Sequence, residues 1–166
     1  MQICYVVLFA KIDSSSVLLD ATEPLSNFNE IPSRCINDVG LVMQKNKVEW
    51  VNIKSGLTSN VSYYFDLQLN ADKDSIKQLC KLVTTGYEAI DYRNKFSNSY
   101  KDLKINILGN NSLSGDTLNS IGLNQIEKPF EIDFVKNNPI EIVEDKIIIS
   151  PLCNFTITEN PLKQTV

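Results

Sequence analysis

The chemistry open to this chain is bounded first by a gap: none of its 166 residues is histidine. Ser-His-Asp and Cys-His nucleophilic sites, histidine-ligated zinc and histidine-based pH switching are therefore closed to it. Carboxylate, lysine, tyrosine and cysteine chemistry remain. A glycosidase-like pair needs two carboxyl groups flanking the scissile bond, and Glu131, Asp133, Glu141, Glu144 and Asp145 are the residues from which one can be drawn. Each stands among alternating apolar residues, so solvated strand positions explain them more simply. Asp72 and Asp74 do not make a calcium loop, because Ile76 stands where a ligand is wanted and no glycine follows at the sixth position. Helix capping accounts for them. Gly109 and Gly115 stand apart from any Gly-Lys-Ser/Thr sequence, which leaves no phosphate loop. The expectation is no catalytic residue, no metal ligand and no cofactor.

Cys4, Cys35, Cys80 and Cys153 are scattered in apolar settings, without the close spacing of a zinc or redox motif. They are expected to be buried thiols in a reducing, cytoplasmic compartment. A secreted form with two disulfides is the competing reading, and the acceptor triplets at Asn60, Asn110 and Asn154 would suit it.

Binding without catalysis is then the broader class to weigh. Sixteen Lys and Arg against 20 Asp and Glu give a net charge of −4. With no basic cluster along the chain, a nucleic-acid partner is not expected. Aromatic side chains concentrate at protein interfaces. Tyr63 and Tyr87 fall on core stripes, which leaves Trp50, Tyr64 and Tyr92 as candidate binding residues. A second reading is membrane association or pore formation, with a lipid anchor at Cys4 and alternating strands such as 61–69 and 130–134 crossing the bilayer. In its terminal Cys and β-rich character alone the chain resembles bacterial gasdermin-type pore formers. A buried first-strand cysteine is the simpler account of Cys4.

The elements that must position these residues follow from hydrophobic period. The apolar run 3–10 is too short to span a bilayer as a helix and has no positive segment before it, so it reads as a core strand. With 17–19 and the polar 13–16 between them it predicts a hairpin. Pro24 and Pro32 disfavour helix before them. Ser33 is placed to cap a short helix to Val39, ended by Gly40. Residues 47–54 and 61–70 read as strands, and Ser55-Gly56 and Ser59-Asn60 suggest that they pair. Ile76, Leu79, Cys80, Val83, Tyr87 and Ile90 then recur at helical spacing, which predicts one long amphipathic helix over 74–93. Leu103, Ile105 and Ile107 alternate like a strand, and Asp116 to Ile121 like a capped helical turn. The last third, from Phe130 to Ile157, reads as strands.

These elements predict a single α+β domain over 1–160, with a frayed tail at 161–166. Its core would be a largely antiparallel sheet of seven to nine strands, covered by the long helix and one or two short ones. The function expected is a non-enzymatic protein-binding module, an acidic inhibitor or immunity-type protein that occupies another protein. A carboxylate-dependent enzyme is the last alternative.

Overall fold

The structure, a computed structural model, describes residues 5–13, 15–28, 30–36, 39–70, 75–144, 146–149 and 155. Cys4, Asp72, Asp74, Asp145, Cys153 and the expected tail lie outside these residues, as does all of the expected last strand except Phe155.

Among the described residues ten strands and two α-helices make an α+β arrangement whose sheets are mainly antiparallel. β1 (Leu8–Ile12) and β2 (Ser15–Leu19) form the expected hairpin, in the register Ile12 opposite Ser15, but among the described residues the strand expected over 3–10 begins only at Leu8 and has no buried residue, and Ser15 and Ser16, expected in the turn, are paired in β2. Asp13 at φ 54° turns the chain there. β3 (Val39–Gln44) and β4 (Lys47–Asn52) form a second hairpin, with Leu41 opposite Trp50 and Met43 opposite Val48. β5 (Asn60–Leu69), β6 (Ser75–Thr85), β7 (Thr117–Ile121) and β8 (Phe130–Pro139) form a four-stranded sheet in the order β5-β6-β8-β7. β9 (Glu141–Val143) and β10 (Lys146–Ile148) are a short antiparallel pair. Helix α1 spans Gly86–Phe96 and α2 spans Tyr100–Leu108.

Several expectations are overturned. No single sheet of seven to nine strands exists among the described residues, since the ten strands fall into four sheets. The long helix over 74–93 is instead a strand to Thr85 followed by a shorter helix. In β6 the buried positions are Ile76, Gln78, Cys80, Leu82 and Thr84, a period of two. Two of those five core positions are polar, so the alternation is hidden from an apolar pattern. Ile76 and Cys80 satisfy both periods, while Leu79 and Val83 point to the other face. The switch falls at Gly86, which adopts φ +64°, a conformation that costs any other residue more.

The expected strand at 103–107 is α2. Leu103 and Ile107, four apart, are buried with Leu108, while Ile105 is exposed. The Ser99 hydroxyl caps the helix by accepting from the Asp102 N–H at 3.2 Å. The expected helical turn at 116–121 is β7, because the Asp116 carboxylate accepts from Leu113 N–H at 2.8 Å and Asn137 N–H at 2.9 Å rather than capping a helix. The expected helix at 33–39 contracts to a 3-10 turn over Ser33–Cys35, with no side-chain cap. The partner of β4 is β3, not the strand at 61–70, which neighbours β6.

The described residues divide between two compact units, one within Met1–Ser62, Val83–Asn98 and Ser120–Glu131, the other within Tyr63–Leu82, Ser99–Asn119 and Ile132–Val166. The first buries Ile31, Cys35, Ala89, Ile90, Phe96 and Phe130. Tyr87 ties it together: its hydroxyl donates to the Ile31 carbonyl at 2.9 Å and accepts from Ser55 at 2.7 Å, and its N–H donates to Ser59 Oγ. The second buries Ile76, Cys80, Leu82, Leu103, Ile107, Leu108, Ile132 and Phe134, with the Phe155 ring packed at a tilt against those of Tyr63, Phe65 and Phe134. Cys35 and Cys80 carry buried thiols outside any disulfide. Burial pushes the Cys35 thiol above its ordinary value.

Gln78 is the costly residue of the second core. It is 0% exposed, its Nε2 has no hydrogen-bond partner among the described residues, and its Oε1 accepts from Asn138 Nδ2 only at 3.5 Å. A buried unsatisfied donor costs about 1–3 kcal/mol. Gln78→Met, of similar volume, is therefore expected to stabilise the chain by about 1 kcal/mol. A lower midpoint of thermal unfolding in that variant would contradict this account of the amide.

Candidate interaction surface

The β3–β4 hairpin is amphipathic because side chains alternate across a strand and opposite residues share a face. Gly40, Val42, Glu49 and Val51 lie on one face. That face is covered at Gly40, where a Cβ would lie 2.6 Å from Ile53 Cδ1. Val51 also lines a cavity of about 350 Å³ with Leu18, Ile31 and Leu57. On the other face Val39, Leu41, Met43, Val48 and Trp50 stand together. Met43 is 68% exposed, Val48 63%, Trp50 56% and Val39 47%. Leu41, between Met43 and Val39 on the same face, is half-buried. Scattered apolar residues on a surface need no explanation, but four exposed ones on one face of a two-stranded ribbon do.

The aromatic candidates sit on three different elements. Trp50 is on β4 and belongs to this face. Tyr64, on β5, is 62% exposed. It lines a groove of about 470 Å³ with Asp66, Leu79, Lys81, Asp133 and Val135, all within the second unit. Tyr92, on α1, is half-buried with its ring centroid 5.2 Å from that of Phe130 and 6.0 Å from that of Phe96. Met43 and Val48 were not among the candidates. The signal that marks them is the alternation from Val39 to Met43, reflected through Lys45-Asn46 onto Val48 and Trp50.

Among the carboxylates, Glu131 and Asp133 are half-buried on β8, alternating with the buried Phe130, Ile132 and Phe134. Glu141 and Glu144 are exposed on and beside β9. Among the described residues no group of three or more acidic or cysteine side chains is placed to hold a metal ion. No helix among them is long and apolar enough to cross a membrane.

Two polar constellations lie in the first unit. In one, Arg34 pairs with Glu23 at 2.6 Å, stacks over the Tyr5 ring at 4.8 Å and donates to the Tyr5 hydroxyl. Tyr5 in turn donates to Asp20 at 2.7 Å. Burial alone would raise the Asp20 pKa, but hydrogen bonds from the Thr22 N–H and the Tyr5 and Thr22 hydroxyls outweigh it and hold the carboxyl below its ordinary value. Arg34 is held from both sides, by Glu23 and by Tyr5, which suits a fastening for the 33–35 turn.

The other constellation centres on Arg93, only 3% exposed. Its Nε donates to the Gly122 carbonyl at 2.9 Å, and its Nη2 to the carbonyls of Gln125, at 3.3 Å, and Lys128. Burial lowers the pKa of this guanidinium, while Glu30 and Glu127 act to raise it. Comparison with protein families, with characterised proteins and with solved structures finds no match to this chain.

Proposed function

We propose that this chain is a non-enzymatic protein-binding module, an acidic inhibitor or immunity-type protein that occupies another protein through the open face of the β3–β4 hairpin. The observation that carries this reading is the joint exposure of Val39, Met43, Val48 and Trp50 on one face of that hairpin. Leaving such side chains in water forgoes about 1.5–3 kcal/mol each relative to full burial. Tryptophan is among the residues that most often dominate interface energetics.

Affinity capture from the native host, with mass spectrometry, tests the reading when wild type is run beside Trp50→Ala and Met43→Glu. A partner retained by wild type is expected to bind Trp50→Ala about 30-fold more weakly, corresponding to a loss of about 2 kcal/mol at a central aromatic anchor. The sequence contains a single tryptophan, so its fluorescence also reports burial on titration with the captured protein. Capture that is equal for all three chains, or turnover of a substrate by the isolated protein, would sink the proposal.

A further inference from the structure

Tyr64, Leu79, Asp133 and Val135 alternate along their strands with Phe65, Cys80 and Phe134, which face the core of the second unit. They therefore stand on the other face of the four-stranded sheet. On that face a groove of about 470 Å³ is lined from all four strands, a size within the range of about 300–1,000 Å³ typical of small-ligand pockets. Its floor is formed by the half-buried Leu79, Asp133 and Val135 of the central strands β6 and β8. Its sides are Leu118 of β7 and the Tyr64 ring of β5, which is 62% exposed.

Three charges line the groove, and they are not equivalent. Asp66 is exposed and accepts from Gln68 Nε2 at 2.9 Å. Lys81 is exposed too, and is already engaged. Asp133 is on the floor, and no hydrogen bond or ion pair joins it to any described residue. A lysine in water contributes little to a carboxylate it does not touch. A carboxylate partly withdrawn from water without a donor gains most from an ammonium group. The apolar walls beside it suit a ligand whose remainder is a ring or hydrocarbon. The open Tyr64 ring adds a face on which a ring can stack and toward which a cation is drawn.

We propose that this groove binds a small organic amine of about the size of phenethylamine, with its ammonium on Asp133 and its ring between Tyr64 and the side chains of Leu79, Leu118 and Val135. The site lies wholly within the second unit. It is independent of the β3–β4 face and needs no protein partner.

The test is an NMR titration of the whole chain with phenethylamine at constant ionic strength, beside 2-phenylethanol as the uncharged analogue and phenylacetate as the anionic one. Saturable shifts of the Leu79, Leu118 and Val135 methyls are expected with phenethylamine. Binding of 2-phenylethanol should be at least about tenfold weaker, as befits a charge-assisted hydrogen bond. Asp133→Asn keeps the shape of the groove and should reduce the amine to the affinity of the alcohol. Tyr64→Ala, at an exposed position, should weaken both by about threefold or more, and keeps the test decisive if Asp133→Asn unfolds. Equal binding of amine and alcohol by wild type, tighter binding of phenylacetate, no saturation by phenethylamine, or a preference for the amine that survives Asp133→Asn overturns the proposal. Tighter binding of the blocked peptide acetyl-Phe-Lys-amide overturns it too, since the groove would then hold a protein segment.

Discussion

Replacing Gly86 by alanine is expected to cost about 3–5 kcal/mol of stability, the largest single-residue effect anticipated for this chain. Two penalties add. Gly86 sits at φ +64°, where a Cβ meets the neighbouring carbonyl and costs about 1–2 kcal/mol. The new Cβ would also lie 2.4 Å from the Thr58 carbonyl oxygen and 2.9 Å from Ser59 Cα. Both are backbone atoms, so relief requires moving the strand-to-helix junction away from residues 58–59. That movement would pull Tyr87 from its bonds to Ser59, Ser55 and Ile31.

For a domain of this size 1 kcal/mol corresponds to about 2–4 °C in the midpoint of thermal unfolding, so a fall of about 10 °C is expected. Gly56→Ala is the matched control, because nothing lies within 4 Å of a Cβ built there and its φ is not in the left-handed region. It should be neutral, or stabilising by about 0.4–1 kcal/mol through the unfolded chain. If Gly86→Ala proved no more harmful than Gly56→Ala, the junction described here would be wrong.

The second large effect is expected at Arg93. Arg93→Met keeps most of the aliphatic stem but leaves the carbonyls of Gly122, Gln125 and Lys128 without their donor. Hydrogen bonds to a charged group are worth about 1.5–3 kcal/mol each, and part of that is returned because the buried cation no longer has to be desolvated. The lowered pKa of this guanidinium reflects that same desolvation. A net loss of about 3 kcal/mol is expected by urea unfolding. Arg93→Lys should rescue little of it, since one ammonium cannot reproduce the planar fork that reaches three acceptors. Amide exchange within 122–128 should accelerate in both variants more than exchange in β6. Uniform acceleration across the chain would mean that Arg93 is not a local clamp.

How much of this was legible beforehand depends on which residues are asked. The strand at 60–69 follows from short-range alternation, and the β1–β2 hairpin from its apolar runs and the turn chemistry at Asp13, although Ser15 and Ser16, expected in the turn, belong to β2. Trp50 is legible as an aromatic on a strand. The open face around it is not, because Val39 falls inside an expected short helix and Met43 outside any expected element. Gln78 and Thr84 conceal β6 by placing polar groups at core positions. Ile105 conceals α2 by adding an exposed apolar residue to a helix that is really held by Leu103 and Ile107. In both places a pattern of apolar letters was compatible with two periods, and tertiary burial chose between them.

The absence of histidine was decided by the sequence alone, and it closed whole classes of chemistry whatever the fold. Composition and charge likewise bounded the chain without reference to shape, because they count groups rather than place them. The helix expected over 74–93, the element with the longest regular stripe, was decided by tertiary structure: Ser75–Thr85 became a strand and the helix begins only at Gly86. A period of 3.6 and a period of 2 share every fourth residue, so Ile76 and Cys80 fit either, and only neighbouring strands reveal that Gln78, Leu82 and Thr84 also face inward. The exposure of the β3–β4 face and the burial of Arg93 are tertiary facts for the same reason. Each depends on what packs, or fails to pack, against a side chain from elsewhere in the chain.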